Sequence, residues 1–233
     1  MTDKVCIVAG VGPGTGAALS RRFAAGGYRV AMLARDAERL AGLERAIGGA
    51  RGFRADVTDA TQVQQVVERI RAEMGPPQVL VHNAVSGYFG EFLDVAPMVL
   101  EETFRTNVLS LLHLGQAVAP HMLARGGGAI AVTGNTSAWR GAANFAGFAP
   151  SKAAQRILAQ SMARSLGPKG IHVAYVVVDA VIDVPWTRRA FADRPDEFFA
   201  RPDAIAETVY HVVHQDRSAW TFEVDLRPFG EKW

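Results

Sequence analysis

The chain is short of several things, and each shortage removes a class of answer. It has one cysteine, Cys6, so no disulfide framework forms within it and a reducing compartment is expected. No apolar run approaches the roughly 20 residues of a membrane-spanning helix, and the run after the polar start is too brief for a secretory signal. A soluble, cytoplasmic protein with no membrane partner is therefore expected. Net charge is also low, at +2 with 25 basic residues spread along the sequence, which argues against nucleic acid as a partner. The six histidines, His82, His113, His121, His172, His211 and His214, show no spacing that suits a metal site. No repeat, linker or low-complexity segment divides the 233 residues. What is left is an ordinary globular composition, 49% hydrophobic and 21% charged, read as one domain over residues 1–233.

Glycine is plentiful, and its placement organises the rest. The opening stretch KVCIVAGVGPGTG sets an apolar run, Val5 to Ala9, directly before Gly10, Gly12, Gly14 and Gly16. Lys4 to Ala9 reads as a strand buried on both faces, and a helical pattern begins near Thr15. Strand, glycine turn and helix in that order form the first half of a dinucleotide-binding unit. The missing side chains let the backbone turn tightly and approach a pyrophosphate at the positive helix terminus. The next strand, Tyr28 to Ala34, closes on Arg35 and Asp36. An acid at this point reads the ribose hydroxyl of NAD, whereas an arginine pairs with the extra phosphate of NADP. Arg35 favours NADP(H) over NAD(H), with Asp36 beside it keeping NAD(H) open.

Strand and helix patterns then alternate. A helix over 37–47 and a strand over 52–55 lead to Asp56, and Thr58 or Asp59 can cap a helix over 61–74. A strand over 78–82 runs into His82-Asn83-Ala84-Val85. A long helix over 100–125 carries Asn107 and is interrupted by Pro120, followed by a strand over 129–133. A polar loop then precedes a helix that starts at Phe148 or Ser151 and ends near Leu166. The sixth strand is placed at 172–178, an aromatic-rich loop at 179–202, a helix at 203–214 and a last strand at 220–226. The alternation predicts an α/β fold, a Rossmann-type doubly wound parallel sheet of about seven strands in a single domain. The 179–202 loop is long enough to cover a site.

These motifs, in this order, resemble the short-chain dehydrogenase/reductase family over essentially the whole chain. Ala9-Gly10 with Gly14 and Gly16 match its glycine turn, without the usual threonine. Asp56-Val57 match its adenine-contacting position, Asn83-Ala84 half of its Asn-Asn-Ala-Gly motif, Asn107 its helix asparagine and Lys152 its lysine. The resemblance implies cofactor contacts from Gly10, Gly14, Thr15, Gly16, Arg35, Asp56, Val57, Asn83 and Lys152. It also implies a small-molecule carbonyl or alcohol as substrate, and a homodimer or homotetramer built through the two long helices. Leu109, Leu112, Val118, Ile157 and Met162 are candidates for that interface, joined by Trp220, Phe222, Phe229 and Trp233.

The catalytic half departs from the pattern. Phe148 stands four residues before Lys152, where the family places the tyrosine that protonates the carbonyl oxygen, and Asn135 stands thirteen residues earlier, at the usual serine. Asp179-Ala180 replace Pro-Gly, and Val184 replaces a threonine that often holds the carboxamide. Two functions follow. One is an atypical NADP(H)-dependent oxidoreductase, with Asn107, Asn135 and Lys152 as its catalytic set and Thr133, Thr136 or Ser137 as nearby hydroxyls. The other is a nucleotide-binding protein without chemistry, acting as a sensor or structural partner. Tyr88 and His82 are alternative proton donors whose plainer readings are a pocket aromatic and a structural histidine. Phe145, Phe148, Trp186, Phe191, Phe198 and Phe199 suggest an apolar substrate pocket.

Overall fold

The computed structural model describes residues 4–231, so Trp233 lies outside it. Strands β1 (Lys4–Ala9), β2 (Tyr28–Ala34), β3 (Ala50–Arg54), β4 (Pro77–His82), β5 (Gly128–Gly134) and β6 (Ile171–Val178) form the main sheet. Two short strands follow, β7 (Val181–Ile182) and β8 (Phe199–Ala200), and β9 (Glu223–Leu226) closes the main sheet. The seven main strands are all parallel, in the order β3-β2-β1-β4-β5-β6-β9. Helices α1 (Thr15–Ala25), α2 (Ala37–Ala46), α3 (Ala60–Met74), α4 (Pro97–Phe104), α5 (Ser110–Ala124), α6 (Ala149–Leu166), α7 (Pro185–Ala190) and α8 (Pro202–Val213) connect them. This is the α/β, Rossmann-type doubly wound sheet that the alternating pattern predicts.

The strands have few polar residues because both faces of the sheet are covered. Val5, Ile7 and Ala9 of β1 enter one core with residues of α3 and α5, while Cys6 and Val8 enter the other with residues of α1, α2 and α8. All eight residues of β6 are buried. Burial raises the Cys6 thiol well above its ordinary pKa, leaving it a small buried hydrophobe. The strand order reverses beside β1, whose neighbours β2 and β4 leave it in opposite directions. The ends of β1 and β4 therefore border a crevice, and Asn83 ties them together. Its N–H donates to the Ala9 carbonyl at 2.8 Å and its Nδ2 to the Gly10 carbonyl at 2.9 Å.

Five sequence expectations change. The long helix starts at Pro97, and its break lies at one π-helical turn, Arg105–Leu109, that contains Asn107. Pro120 sits inside α5 without ending it; Pro120 and Gln116, whose carbonyl it leaves unpaired, are both exposed. The 179–202 segment is ordered by the parallel β7–β8 pair and by α7. The last strand begins at Glu223, because Trp220 stacks on His172 at 4.8 Å and the Gln215 side chain holds the Thr221 N–H at 2.8 Å. Val118 belongs to the core rather than to an outer face, whereas Leu109 and Ile157 are exposed. Asp59 caps α3, accepting from the Thr61 and Gln62 N–H groups. Among the described residues no helix is long and apolar enough to cross a membrane.

Two glycines calibrate the packing. A Cβ at Gly134, at the end of β5, would lie 2.1 Å from the ring of the fully buried Tyr175, whereas one at Gly42 in the interior of α2 would meet nothing within 4 Å. Gly134→Ala is expected to lower stability by about 1–3 kcal/mol through overpacking. Gly42→Ala should raise it by about 0.5–1 kcal/mol through helix propensity and a less flexible unfolded chain. Urea unfolding midpoints of the two variants and the parent protein check both signs.

Candidate active site

A cleft of about 800 Å³ runs over the ends of β1 and β4. At its near end lies the glycine turn. Gly10 adopts φ of +87°, and a Cβ there would come within 2.5 Å of the Ala84 backbone, so the turn and the end of β4 approach to a distance only glycine permits. A Cβ at Gly16 would meet the Gly10 carbonyl at 2.6 Å. Gly10, Gly12, Thr15 and Gly16 line the cleft, and a side chain at Gly12 would enter open space there. Gly14 does not line it; its missing side chain leaves room for Val184, whose Cγ1 a Cβ would meet at 2.5 Å. Gly14 is also the N-cap of α1 and offers it no side-chain acceptor, and no acidic residue occupies the first turn. The partial positive charge of the helix terminus is thus left for an external anion.

Beyond the turn stand Arg35, Asp36 and Arg39. Asp36 is committed elsewhere. Its Oδ1 caps α2 by accepting the Arg39 N–H at 2.9 Å, and its Oδ2 pairs with Arg39 Nη2 at 3.0 Å. The exposed Arg35 guanidinium has no acidic partner among the described residues. Asp56 and Val57 close this end. Asp56 Oδ1 accepts from the Thr58 N–H at 2.9 Å and the Thr58 hydroxyl at 2.8 Å, which fixes the carboxylate at the cleft wall. Asn83 also lines the cleft, with both ends of its amide spent: Nδ2 on Gly10 and Oδ1 accepting from the Thr133 hydroxyl at 3.1 Å.

The far end holds Phe148, Lys152 and Asn135. Phe148 is the N-cap of α6 and is 4% exposed, one helical turn before Lys152. The buried Lys152 amine donates to the Thr133 carbonyl at 3.1 Å and to Gln155 Oε1. Burial pulls its pKa from 10.5 down to about 7. Gln155 is satisfied on every side. Its Oε1 also accepts from the Tyr175 hydroxyl at 3.3 Å, and its Nε2 donates to the Asn107 carbonyl at 2.8 Å and to His82 Nδ1 at 3.4 Å. His82 Nε2 then donates to Ser110 Oγ at 2.6 Å, and Ser110 donates to the Thr106 carbonyl at 2.5 Å. Burial, with the Lys152 charge nearby, lowers the His82 pKa to about 3. This histidine is neutral at physiological pH and serves as a link in the network.

Asn107 lies behind the cleft. Its side chain accepts the Ser86 N–H and donates to the Ser86 carbonyl, both at 2.9 Å, and donates to Ser151 Oγ at 2.8 Å. Asn135 opens the 3₁₀ turn Thr136–Ala138, and its buried Oδ1 has no partner. Of the nearby hydroxyls, Thr133 reaches the cleft, whereas Thr136 donates to Asp179 Oδ1 at 3.2 Å and the buried Ser137 lies outside the lining. Tyr88 lays its ring over Gly90 and Gly147, away from the lining. Trp186 lines the cleft and Phe145 backs Phe148. Phe191, Phe198 and Phe199 instead pack on one another at 5.1–5.6 Å beneath the small sheet. Among the described residues no cluster suited to a metal occurs, and His211 pairs with Glu207 at 2.8 Å.

Sequence reading missed Gln155 and Arg39. A polar residue at helical spacing from Lys152 was the signal for the first; an arginine three residues after the acid of a helix cap was the signal for the second.

The glycine turn, the uncapped helix and the unpaired Arg35 fit a dinucleotide, and the comparisons agree with that frame. Residues 4–194 match the family described as short chain dehydrogenase. The chain is 30% identical over 225 residues to the D-erythrulose reductase of Gallus gallus, covering 92% of this chain and 89% of that one. A short-chain dehydrogenase from Rhodopseudomonas palustris superposes with a TM-score of 0.83 at 31% identity, covering 97% of this chain and 99% of its own. A metagenomic short-chain oxidoreductase solved in complex with NADP gives a TM-score of 0.84 at 27% identity, covering 98% of each chain. The chain therefore belongs to the short-chain dehydrogenase/reductase family, in which oxidoreductases are built on this sheet and this turn.

Proposed function

We propose that the protein is a cytoplasmic NADP(H)-dependent oxidoreductase that interconverts a carbonyl compound and its alcohol, in an active site altered at Phe148 and Asn135. One observation carries the reading: a single cleft joins the arginines and the glycine turn at one end to Phe148, Asn135 and the buried Lys152 amine at the other. Arg35, with Arg39 behind it, supplies the positive charge that a 2′-phosphate requires, while Asp36 is held by the helix it caps. The NADP complex of the metagenomic relative and the ketose substrate named for the avian one point the same way. Gly10, Gly12, Thr15 and Gly16 would hold the pyrophosphate, and Asp56 with Val57 the adenine end. Residues 179–202 cover the substrate. A homodimer or homotetramer formed through α5 and α6 would cover Leu109 and Ile157, which are exposed.

NADPH, when bound, would supply hydride-transfer chemistry. The protein's own residues position the substrate and manage the proton. Phe148 has no proton to give. The Asn135 amide, free of protein partners at Oδ1, carries both a donor and an acceptor group, and turning its NH₂ toward the cleft polarises a carbonyl oxygen. In its ammonium form, below a pKa of about 7, Lys152 has a third N–H beyond those given to Thr133 and Gln155, and that N–H orients the water that delivers the proton. Asn107 works at one remove, fixing the Ser86 backbone with its side chain and Gln155 with its carbonyl. The second reading, binding without chemistry, draws on the loss of an ionisable group at Phe148.

NADPH oxidation over a panel of aldehydes, ketones and quinones separates the two readings. Turnover by the parent protein is expected, with Phe148→Tyr faster by about 10²–10⁴-fold as a general acid is restored; turnover by the variant alone would support the binding-only reading. Arg35→Ala should weaken NADPH binding by about 10- to 100-fold, the loss of a charge-assisted contact, and leave NADH affinity unchanged in fluorescence titrations. Lys152 also sets a pH signature. Between pH 7 and 10.5 the unfolded chain holds a proton on this amine that the folded protein has released, so stability rises with pH across that window. Unfolding free energies should show the parent protein gaining on Lys152→Met from pH 7 to 10.5, and a difference that stays flat would overturn the assignment.

A further inference from the structure

Two rings, Phe148 and Trp186, line the end of the cleft beyond the glycine turn, and two more back the first. Phe89, Phe145 and Phe148 pack together, with centroids 5.1 Å apart for Phe89 and Phe145, 5.7 Å for Phe89 and Phe148, and 6.4 Å for Phe145 and Phe148. Phe148 lines the cleft while nearly buried, and Phe89 is 58% exposed beside it. Trp186, 61% exposed, lines the cleft from α7. Exposed rings that continue the wall of a cofactor cleft are placed for a small ligand in that cleft.

Both ring-bearing segments are held before any ligand arrives. Ser86 is fastened through N–H and carbonyl by Asn107, and the Gly90 N–H donates to the Asn144 carbonyl at 2.9 Å, so Phe89 sits between two anchors. On the other side the Thr187 hydroxyl donates within the turn to the Ile182 and Val184 carbonyls, at 2.5 and 2.8 Å. Arg188 grips Asp183 with two bonds of 2.7 Å and reaches Asp196 at 2.6 Å. These charges satisfy one another and do not line the cleft. The remaining charged group at this end is Lys152, whose amine already serves Thr133 and Gln155. Asn135 lines this end, and its amide NH₂ is the donor for one oxygen.

From this arrangement we propose that the substrate is an uncharged aryl or fused-ring ketone, or its alcohol, with its ring against Phe89, Phe148 and Trp186 and its oxygen at Asn135. The proposal rests on the oxidoreductase reading for its chemistry and on the wall for its class. An open-chain ketose would have only Thr106, Thr133 and Asn135 to serve its several hydroxyls, with the remainder set against rings that offer no partner, and a carboxylate would find no guanidinium among the residues lining this end.

Calorimetric titration of the NADP⁺-loaded protein tests the class without turnover, since the oxidised cofactor cannot reduce a ketone. The probes are 2-acetylnaphthalene, 6-acetyl-2-naphthoate and erythrulose. The uncharged ketone should bind at least about tenfold tighter than either other probe. Trp186→Ala and Phe89→Ala, both changes at exposed positions, should each cost about tenfold in its affinity while leaving NADP⁺ binding intact. Equal or tighter binding of erythrulose overturns the proposal, as does indifference of 2-acetylnaphthalene to both variants. So does a Trp186→Ala protein whose sedimentation changes while its ketone affinity does not, because Trp186 then faces a second copy of the chain. Repeating the titration series with NADPH separates the two levels. Binding of 2-acetylnaphthalene without NADPH oxidation counts against the oxidoreductase reading and leaves the ligand class standing; oxidation driven by erythrulose alone does the reverse.

Discussion

Burying the Lys152 amine constrains the whole far end of the cleft. An ammonium out of contact with water needs acceptors within reach and no competing charge beside it. The Thr133 carbonyl lies one residue past the end of the β4–β5 ladder at Val132, and Gln155 lies on the same helix face as Lys152. Gln155 then has three further bonding positions to fill inside the core. Tyr175, His82 and the Asn107 carbonyl fill them, and His82 must stay neutral to do so. The π-helical turn at Arg105–Leu109 belongs to the same chain of requirements, since it contains both the carbonyl that receives Gln155 and the side chain that fixes Ser86.

This network explains how a phenylalanine is tolerated one turn before Lys152. A tyrosine hydroxyl at residue 148 would be one more polar group to satisfy near the amine; the benzyl ring asks for none and instead joins Phe89 and Phe145. The amine depends on the Thr133 carbonyl and on Gln155, whose further partners Tyr175, His82 and Asn107 all lie behind the cleft wall. A phenylalanine at this position therefore leaves the polar core whole, and the glycine-turn end of the cleft is unaffected because it is made largely of backbone.

The same division decides what could be read from the sequence. Gly10, Gly16, Asp59 and the strand residues act through rules that operate within a few positions: a positive φ, a close approach of backbone, a helix cap, an apolar run. Their roles are legible in the order of residues, as are most strand limits. Gln155, His82 and Ser110 meet across 28 to 73 positions of chain, and no local pattern announces such a meeting. The Asp36 ambiguity has the same origin at shorter range: the residue could read a ribose or cap a helix, and the cap geometry with Arg39 settles its side chain on the helix. The aromatic residues of 179–202 were divided by packing, Trp186 to the cleft and Phe191, Phe198 and Phe199 to the small sheet, although all four look alike in sequence.

A cleft with one end set by backbone and the other by side chains separates two kinds of change. At the glycine turn a side chain at Gly10 or Gly16 collides with main chain within 2.4–2.6 Å, so those two positions admit little variation. At the ring-lined end the neighbours of a substituted residue are other side chains, and exchange of a hydroxyl for a hydrogen, or of serine for asparagine, alters the chemistry without moving the sheet. In the proposed reading, reaction and substrate are set at the end where substitution is cheapest. That is why departures at Phe148, Asn135 and Val184 coexist with an intact fold, and why the ligand class must be argued from the rings that line the cleft rather than from the turn that holds its other half.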